Sequence, residues 1–268
     1  MKFFNKIKTA LARNVAFFSV LRSLYPFFRN DALVEVNKLS FCIFLSKYIN
    51  MVVMFIPIKL LFILSGAKNI SFLLDIEQQL GRNVYIGFWV CLVIILYIFD
   101  MIVKIYKGKL INHQKNIIDN KKYVFIGKDI SQKIVLRTYS PYCQMLSDFL
   151  VLFASIMVFF ILSPHYAVFY IIVVLGYFLF LEYLLFSPHQ PRLLKKLSLD
   201  NNQFIQVCNG MLYLVFFLGI IAVLILDSIH ILVAILILLV ARISTTSLRT
   251  VFTSQKSLRR DYFQNNES

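Results

Sequence analysis

The sequence predicts an all-α, polytopic membrane helical bundle: six transmembrane helices follow an N-terminal interfacial amphipathic helix, with both termini in the cytoplasm. The first observation is composition, since 59% of the 268 residues are hydrophobic and 15% are charged, with a mean hydropathy of +0.75. Water-soluble domains have about a quarter of their residues charged. The second observation is a series of six long apolar segments, and the third is where Lys and Arg lie between them. Residues 1–268 are predicted to form a single transmembrane domain.

The N-terminal segment, residues 1–38, has the pattern of an amphipathic helix on an anionic membrane surface. Its apolar residues recur at helical spacing, and basic residues lie between them. The apolar set is Phe4, Ile7, Leu11, Val15 and Phe18, and the basic set is Lys2, Lys6, Lys8 and Arg13. Pro26 predicts a bend before the first span. A cleaved signal peptide is disfavoured because Arg13, Asn14 and Arg22 interrupt the apolar stretch.

Six segments are close to the length of about 20 mainly apolar residues that a spanning helix needs. They are residues 40–65, 84–103, 146–163, 166–186, 211–226 and 229–247. The third and fourth segments are separated only by Pro164 and His165, and the fifth and sixth only by Asp227 and Ser228. Both pairs are therefore predicted to form tight helical hairpins.

The distribution of Lys and Arg predicts the orientation, because these residues concentrate in cytoplasmic connections. They are abundant in residues 1–38, in the connection 104–145 and in the C-terminal tail. The connection 66–83 carries only Lys68 and Arg82, and the two hairpin tips carry neither Lys nor Arg. The termini and residues 104–145 are therefore predicted to be cytoplasmic, and the basic segments to bind anionic lipids.

Several site classes find no support in the sequence. The net charge of +15 lies in segments flanking the spans rather than in one patch, which argues against a nucleic-acid partner. The four cysteines lack paired spacing, and the four histidines lack the spacing of a metal motif. We therefore predict no catalytic residue, no metal and no cofactor in this chain, and no enzymatic activity.

Ionisable residues inside spans are costly and are the first candidates for function in a membrane protein. Four are predicted in the inner part of their helices: Lys47, Asp100, Glu182 and Arg242. We predict a structural or gating pair between Glu182 and Arg242. The alternative is that these side chains, and Lys59 in the first span, reach the interface individually, or that Asp100 pairs with Lys104 one turn later.

Two apolar stretches in the predicted cytoplasmic connections are candidate docking surfaces for a cytoplasmic partner. The first, residues 123–126, contains Tyr123 and Phe125 and is bracketed by lysines. The second, residues 193–204, contains Leu193 and Phe204. The alternative for the first stretch is a helix that lies on the lipid surface.

Three stretches resemble the transmembrane domain of an ABC exporter. Ser23-Leu-Tyr-Pro-Phe-Phe-Arg29 resembles the elbow helix that enters the first span, and Phe55-Ile-Pro-Ile-Lys-Leu60 resembles the proline-containing stretch near that span's outer end. Leu239-Val-Ala-Arg-Ile-Ser244, followed by Leu248, Phe252, Leu258 and Arg259, resembles a sixth span that continues toward an ATPase domain.

This resemblance implies a membrane subunit of a transporter or export complex in a bacterial inner membrane. It implies a homo- or hetero-oligomer with other membrane subunits and a separate cytoplasmic ATPase. A Walker A loop needs Gly-x-x-x-x-Gly-Lys-Ser/Thr. Gly108-Lys109 and Gly127-Lys128 both lack the first glycine and the hydroxyl residue. ATP is therefore expected only through a partner chain.

A non-transporting membrane scaffold with a degenerate exporter-like fold is the alternative. The sequence departs from the exporter pattern in two ways, and the first of them favours this alternative, whereas the predicted buried Glu182 and Arg242 favour transport. The connection 187–210 is shorter than the helical extensions by which exporters reach an ATPase, and the chain ends where an ATPase domain would begin.

Overall fold

A computed structural model describes residues 17–31, 35–65, 81–118, 123–125, 128–186, 200–227 and 230–263. Six helices in these ranges are long and apolar enough to cross a membrane. They are α1 (Val36–Leu64), α2 (Arg82–Ile118), α3 (Gln132–Leu162), α4 (Pro164–Phe186), α5 (Asn201–Asp227) and α6 (Ile231–Phe263). The predicted multi-pass, helical membrane protein is confirmed at this level.

Several helices continue well beyond the predicted spans. Helix α2 runs to Ile118 rather than ending at residue 103, α3 begins at Gln132 rather than 146, and α6 continues to Phe263 past 247. Each extension adds roughly 20 Å at 1.5 Å per residue. Hydropathy marks only where a helix leaves the bilayer, whereas Lys, Arg, Gln and Leu keep the backbone helical beyond that point.

The connection between α2 and α3 contains a short β-ribbon. Strand β1 (Tyr123–Phe125) pairs antiparallel with β2 (Lys128–Ile130), and Tyr123 lies opposite Ile130. The surface helix considered for residues 123–126 is therefore wrong for the described strand residues. The β-branched and aromatic residues Tyr123, Val124 and Phe125 favour an extended backbone here.

Both predicted helical hairpins are present. Ser163 has an extended backbone between α3 and α4, and its Oγ accepts a hydrogen bond from the Tyr166 N–H at 3.3 Å. Pro164 begins α4, where its missing N–H costs no hydrogen bond. In the second hairpin, His230 Nδ1 accepts a hydrogen bond from the Leu232 N–H at 3.2 Å. Each short connection therefore also caps the helix that follows it.

Helices α3 and α6 form the centre of the bundle. They pack on each other along much of their length; α1 packs on both, and α4 and α5 complete the core. Helix α2 packs mainly on α1. Only 11% of its most apolar stretch is buried, against 50% for α6. The remaining surface of α2 is covered with large apolar side chains, as expected for a helix at the lipid boundary.

The N-terminal helix packs on the bundle through its described part. Residues 17–26 are helical and lead into a π-helical turn, Phe27–Asp31. The turn directly follows Pro26, whose ring removes a backbone donor. Leu21, Leu24 and Phe28 are buried, and the rings of Phe28 and Tyr142 are 5.1 Å apart.

The predicted amphipathic pattern is only partly covered by the described residues. Phe18, predicted on the apolar face, is 41% exposed, whereas its neighbour Phe17 is buried. Residues 1–16, which carry the remaining residues of that pattern, lie outside the described residues. The buried side of the described helix is the side that contacts α3 and α6. It is not the apolar face predicted from the pattern of the first 18 residues.

Candidate functional site

A row of buried and partly buried polar side chains follows the contact between α3 and α6, and α1 and α4 contribute to it. We call it the polar seam. On α1 it comprises Lys47 and Tyr48, on α3 Asp148 and Ser155, on α4 Tyr170 and Glu182, and on α6 Ser244, Ser247, Thr250, Gln255 and Arg259. The hydroxyl-rich sequence of α6 between 244 and 255 supplies most of its length.

Asp148 forms the centre of the polar seam. Its side chain is completely buried, and one carboxylate oxygen forms a close ion pair with the Lys47 ammonium. The other oxygen accepts a hydrogen bond from the Thr250 hydroxyl. Lys47 Nζ also donates to Ser247 Oγ at 3.4 Å. This one carboxylate therefore connects α1, α3 and α6, with both of its oxygens bonded.

Sequence reasoning identified Lys47 and missed Asp148. Asp148 lies inside the predicted span 146–163, so the criterion that selected Lys47 also applies to it. Its position two residues after the predicted start of the span concealed its depth. Because α3 begins at Gln132, Asp148 actually lies in the middle of a continuous helix.

The seam continues through hydroxyl groups on one side of Asp148. Tyr48 Oη lies 3.3 Å from both the Val151 carbonyl oxygen and Ser155 Oγ. Further along, the hydroxyls of Tyr170 and Ser244 are in close contact, and the Tyr170 ring packs on Phe216 at 5.1 Å. Hydrogen bonds between helices thus extend the seam along α3 and α6.

Glu182 forms the other end of the seam. Its carboxylate lies 2.8 Å from Arg259 Nη2 and accepts a hydrogen bond from Gln255 Nε2 at 3.1 Å. Glu182 is 1% exposed and the Arg259 side chain 15% exposed. The Arg259 guanidinium also lies 4.9 Å from the centre of the Phe17 ring. This ion pair therefore joins α4, α6 and the N-terminal helix.

The predicted Glu182–Arg242 pair is replaced by a Glu182–Arg259 pair. Arg242 is exposed and precedes Arg259 by more than four turns on α6, roughly 25 Å along the axis. A carboxylate bonded to Arg259 is therefore out of reach of Arg242. The error arose because the sixth span was predicted to end at residue 247, which left Arg259 outside the set of intramembrane charges.

Asp100 belongs to a separate contact between α1 and α2. It is buried, accepts a hydrogen bond from Ser46 Oγ at 2.7 Å and lies 2.5 Å from Lys104 Nζ. The alternative prediction for Asp100, a pair with Lys104 one turn later, is confirmed. The four charges selected from the sequence are thus distributed over different contacts and do not form one cluster.

Lys59, near the C-terminal end of α1, is buried against aromatic rings. It is 2% exposed, and its ammonium lies 3.4 Å from the centre of the Trp89 ring and 5.4 Å from that of Tyr85. The interpretation that Lys59 reaches the inner interface is therefore wrong. A cation held over the face of a tryptophan away from solvent contributes about 2 kcal/mol, and here it ties α1 to α2.

The predicted docking residues are only partly described. Tyr123 is buried and its hydroxyl donates to the Ile118 carbonyl at 3.4 Å, while Phe204 is buried in the core of the bundle. These two side chains therefore pack inside the protein rather than forming an exposed surface. Phe125 is described only as part of β1, and Leu193 lies outside the described residues.

Comparison of the chain with protein-family models, with curated proteins and with solved structures finds no match. The search for metal sites, confined to the described residues, finds no group of three or more His, Cys, Asp or Glu that could hold an ion. The chemistry of the described site is that of ion pairs between helices. Such pairs hold helices in register, and they can exchange partners or protons when the helices move.

The Lys47–Asp148 pair predicts an asymmetric loss of stability. Lys47→Met leaves a fully buried carboxylate without its cation and should cost about 3–5 kcal/mol of unfolding free energy. Asp148→Asn leaves Lys47, whose side chain is only partly buried at 23% exposed and keeps Ser247 Oγ as a hydrogen-bond partner, and should cost about 1–3 kcal/mol. The double variant should lose less than the sum, with a coupling of about 1–3 kcal/mol.

The free energy of unfolding of each variant is measured in mixed micelles. Lys38→Met is the matched control, because Lys38 and its partner Glu35 are both exposed, with side-chain exposures of 60% and 40%, and the change should cost at most about 1 kcal/mol. Equal costs for Lys47→Met and Lys38→Met would show that Asp148 does not depend on its cation.

The second prediction assigns the partner of Glu182. Glu182→Gln and Arg259→Gln should each destabilise the protein, and their combination should recover about 1–3 kcal/mol of the summed loss. Glu182→Gln combined with Arg242→Gln should be additive within about 0.5 kcal/mol, because Arg242 is remote. Coupling to Arg242 instead of Arg259 in the same unfolding assay would contradict the structure.

Proposed function

We propose that this chain is the membrane subunit of a transporter or export complex, similar to an ABC exporter transmembrane domain, with a separate cytoplasmic ATPase. The observation that carries the proposal is the fully buried Asp148 held by Lys47 across three helices. Charges at this depth are rare in membrane proteins and commonly mark ion or substrate pathways.

Helix packing alone would not require these charges. In a bilayer, helices associate through van der Waals packing and neutral hydrogen bonds, and this bundle has both. An ion pair adds a desolvation cost that apolar side chains of similar size avoid. The ion pair at the contact of α1, α3 and α6 therefore supports the proposal that this contact moves. The pair would open and re-form during a transport cycle.

The helical extensions support an ATPase partner. Helices α2, α3 and α6 continue beyond their apolar spans, and the N-terminal helix packs on α3 and α6. Lys and Arg are concentrated in these extensions. We propose that they lie on the cytoplasmic side of a bacterial inner membrane, with both termini there, and transmit motion between an ATPase and the bundle. Other membrane subunits, identical or different, complete the complex.

A scaffold without transport activity is the second candidate. It is favoured by the bonding of Asp148 on both oxygens, which is also the arrangement that a permanent attachment between helices requires. In that case the Lys47–Asp148 pair would hold the helices together permanently, and the partner subunits would bind the exposed apolar surface of α2.

Purification of the tagged chain from its native membranes in mild detergent tests the proposal. A transporter subunit should retain a stoichiometric ATPase whose ATP hydrolysis depends on this chain. The Lys47→Met/Asp148→Leu variant should keep the bound ATPase and lose coupled hydrolysis, because the apolar pair cannot open and close as an ion pair does. Purification of the intact chain with membrane partners and without an ATPase would support the scaffold.

The proposed orientation predicts which residues can be labelled from outside. On a cysteine-free background, Ile70→Cys and Ser228→Cys should react with a membrane-impermeant maleimide added to intact cells. Asn120→Cys should react only after the membrane is opened, because Lys and Arg keep its segment in the cytoplasm. Efficient labelling of position 120 in intact cells would overturn the orientation.

A further inference from the structure

A groove of ≈ 670 Å³ lies between the N-terminal helix, the beginning of α1 and the middle of α3. Phe41, Phe149 and Leu150 are among its apolar lining residues, and Tyr25, Asn37 and Lys38 are the polar ones nearest the start of α1. Its size is within the range of small-molecule pockets, about 300 to 1,000 Å³. The groove is therefore large enough for a chain-like ligand.

The apolar part of the groove is continuous with the surface that faces lipid. Phe41 is 55% exposed and Leu150 44% exposed, although both are large apolar side chains in the groove wall. Along α1, Asn37 and Lys38 precede Phe41 by one turn, at the end of the apolar helix. The groove thus runs from a polar rim at the membrane interface into the hydrocarbon region.

The polar rim carries an excess of positive charge. Arg22 is exposed and precedes Tyr25 by three residues, which places the two side chains on one face of the N-terminal helix. Arg29 is also exposed and follows Tyr25 by four residues, in the π-helical turn. Lys38 is also exposed and pairs with Glu35 at 2.6 Å. Tyr25 Oη and the Asn37 side chain are hydrogen-bonded across the rim at 2.9 Å. Lys38 lines the rim itself, and two exposed guanidinium groups lie within four residues of the rim residue Tyr25 in the chain.

We propose that this groove binds one anionic phospholipid. An acyl chain lies along Phe41, Phe149 and Leu150, and the phosphate is bound by Arg22 and Arg29. Tyr25 and Asn37 lie at the level of the glycerol. An apolar channel open to lipid that ends in a cationic rim matches both parts of such a molecule. The site is independent of whether the complex transports a substrate.

Native mass spectrometry of the full chain, titrated with phosphatidylglycerol or with phosphatidylcholine of the same acyl chains, tests the site. Phosphatidylglycerol should be retained about tenfold better than phosphatidylcholine. Arg22→Gln/Arg29→Gln should remove this preference, because the phosphate loses its two cations. Lys109→Gln/Lys115→Gln, which removes two exposed charges from α2, is the matched control and should leave the preference unchanged.

Leu150→Trp should block the groove and reduce retention of both lipids severalfold. Phe41→Trp, at a more exposed position of the same wall, provides a second blocking variant if Leu150→Trp does not fold by circular dichroism. If the arginine double variant and the lysine double variant lose the preference for phosphatidylglycerol equally, the preference reflects a diffuse charge effect, and the site is overturned. Displacement of the lipid by glycerol phosphate alone, or unchanged retention in both blocking variants, would show that no acyl chain lies in the groove.

Discussion

The buried carboxylate of Asp148 is the constraint on which the bundle depends. In a hydrocarbon environment it needs both a cation and a hydrogen-bond donor, and these come from two other helices, Lys47 on α1 and Thr250 on α6. The three helices must therefore meet in one register. A shift of any one of them by a single turn, about 5.4 Å, would separate the carboxylate from a partner.

That register has consequences for the neighbouring residues of α1. Ser46, Lys47 and Tyr48 are consecutive, and on a helix they point about 100° apart. Ser46 donates to Asp100 on α2, Lys47 binds Asp148, and Tyr48 lies against Val151 and Ser155 on α3. Three adjacent side chains thus connect α1 to different parts of the bundle. Helix α1 is the element through which the peripheral α2 is coupled to the α3–α6 centre.

One stretch of α3 serves both the polar seam and the groove. Asp148 points into the seam, while Leu146, Phe149 and Leu150 line the groove toward lipid. The seam ends at Glu182 and Arg259, where the Arg259 guanidinium packs on Phe17 of the N-terminal helix. The N-terminal helix therefore contacts the end of the seam and forms one wall of the groove, so its position depends on both.

The residues of the sequence determined the class of the protein, the number of spans and the two hairpins. These features depend on local properties: apolar length, interruption by Pro and Ser, and the cost of a charge in lipid. The same local argument identified the pairing of Asp100 with Lys104, because both lie on one helix one turn apart. Lys47 and Glu182 were also recognised as buried charges on this basis.

Only the tertiary structure decided which charges on different helices meet. The partner of Glu182 is 77 residues away in the chain, at Arg259, on a part of α6 that hydropathy does not assign to a span. Lys47 meets Asp148 because α1 and α3 cross at that height, which no periodicity within either helix reveals. The local sequence shows that a charge lies in a span, where its burial is costly. Which group offsets that cost depends on how separate helices are brought together in space.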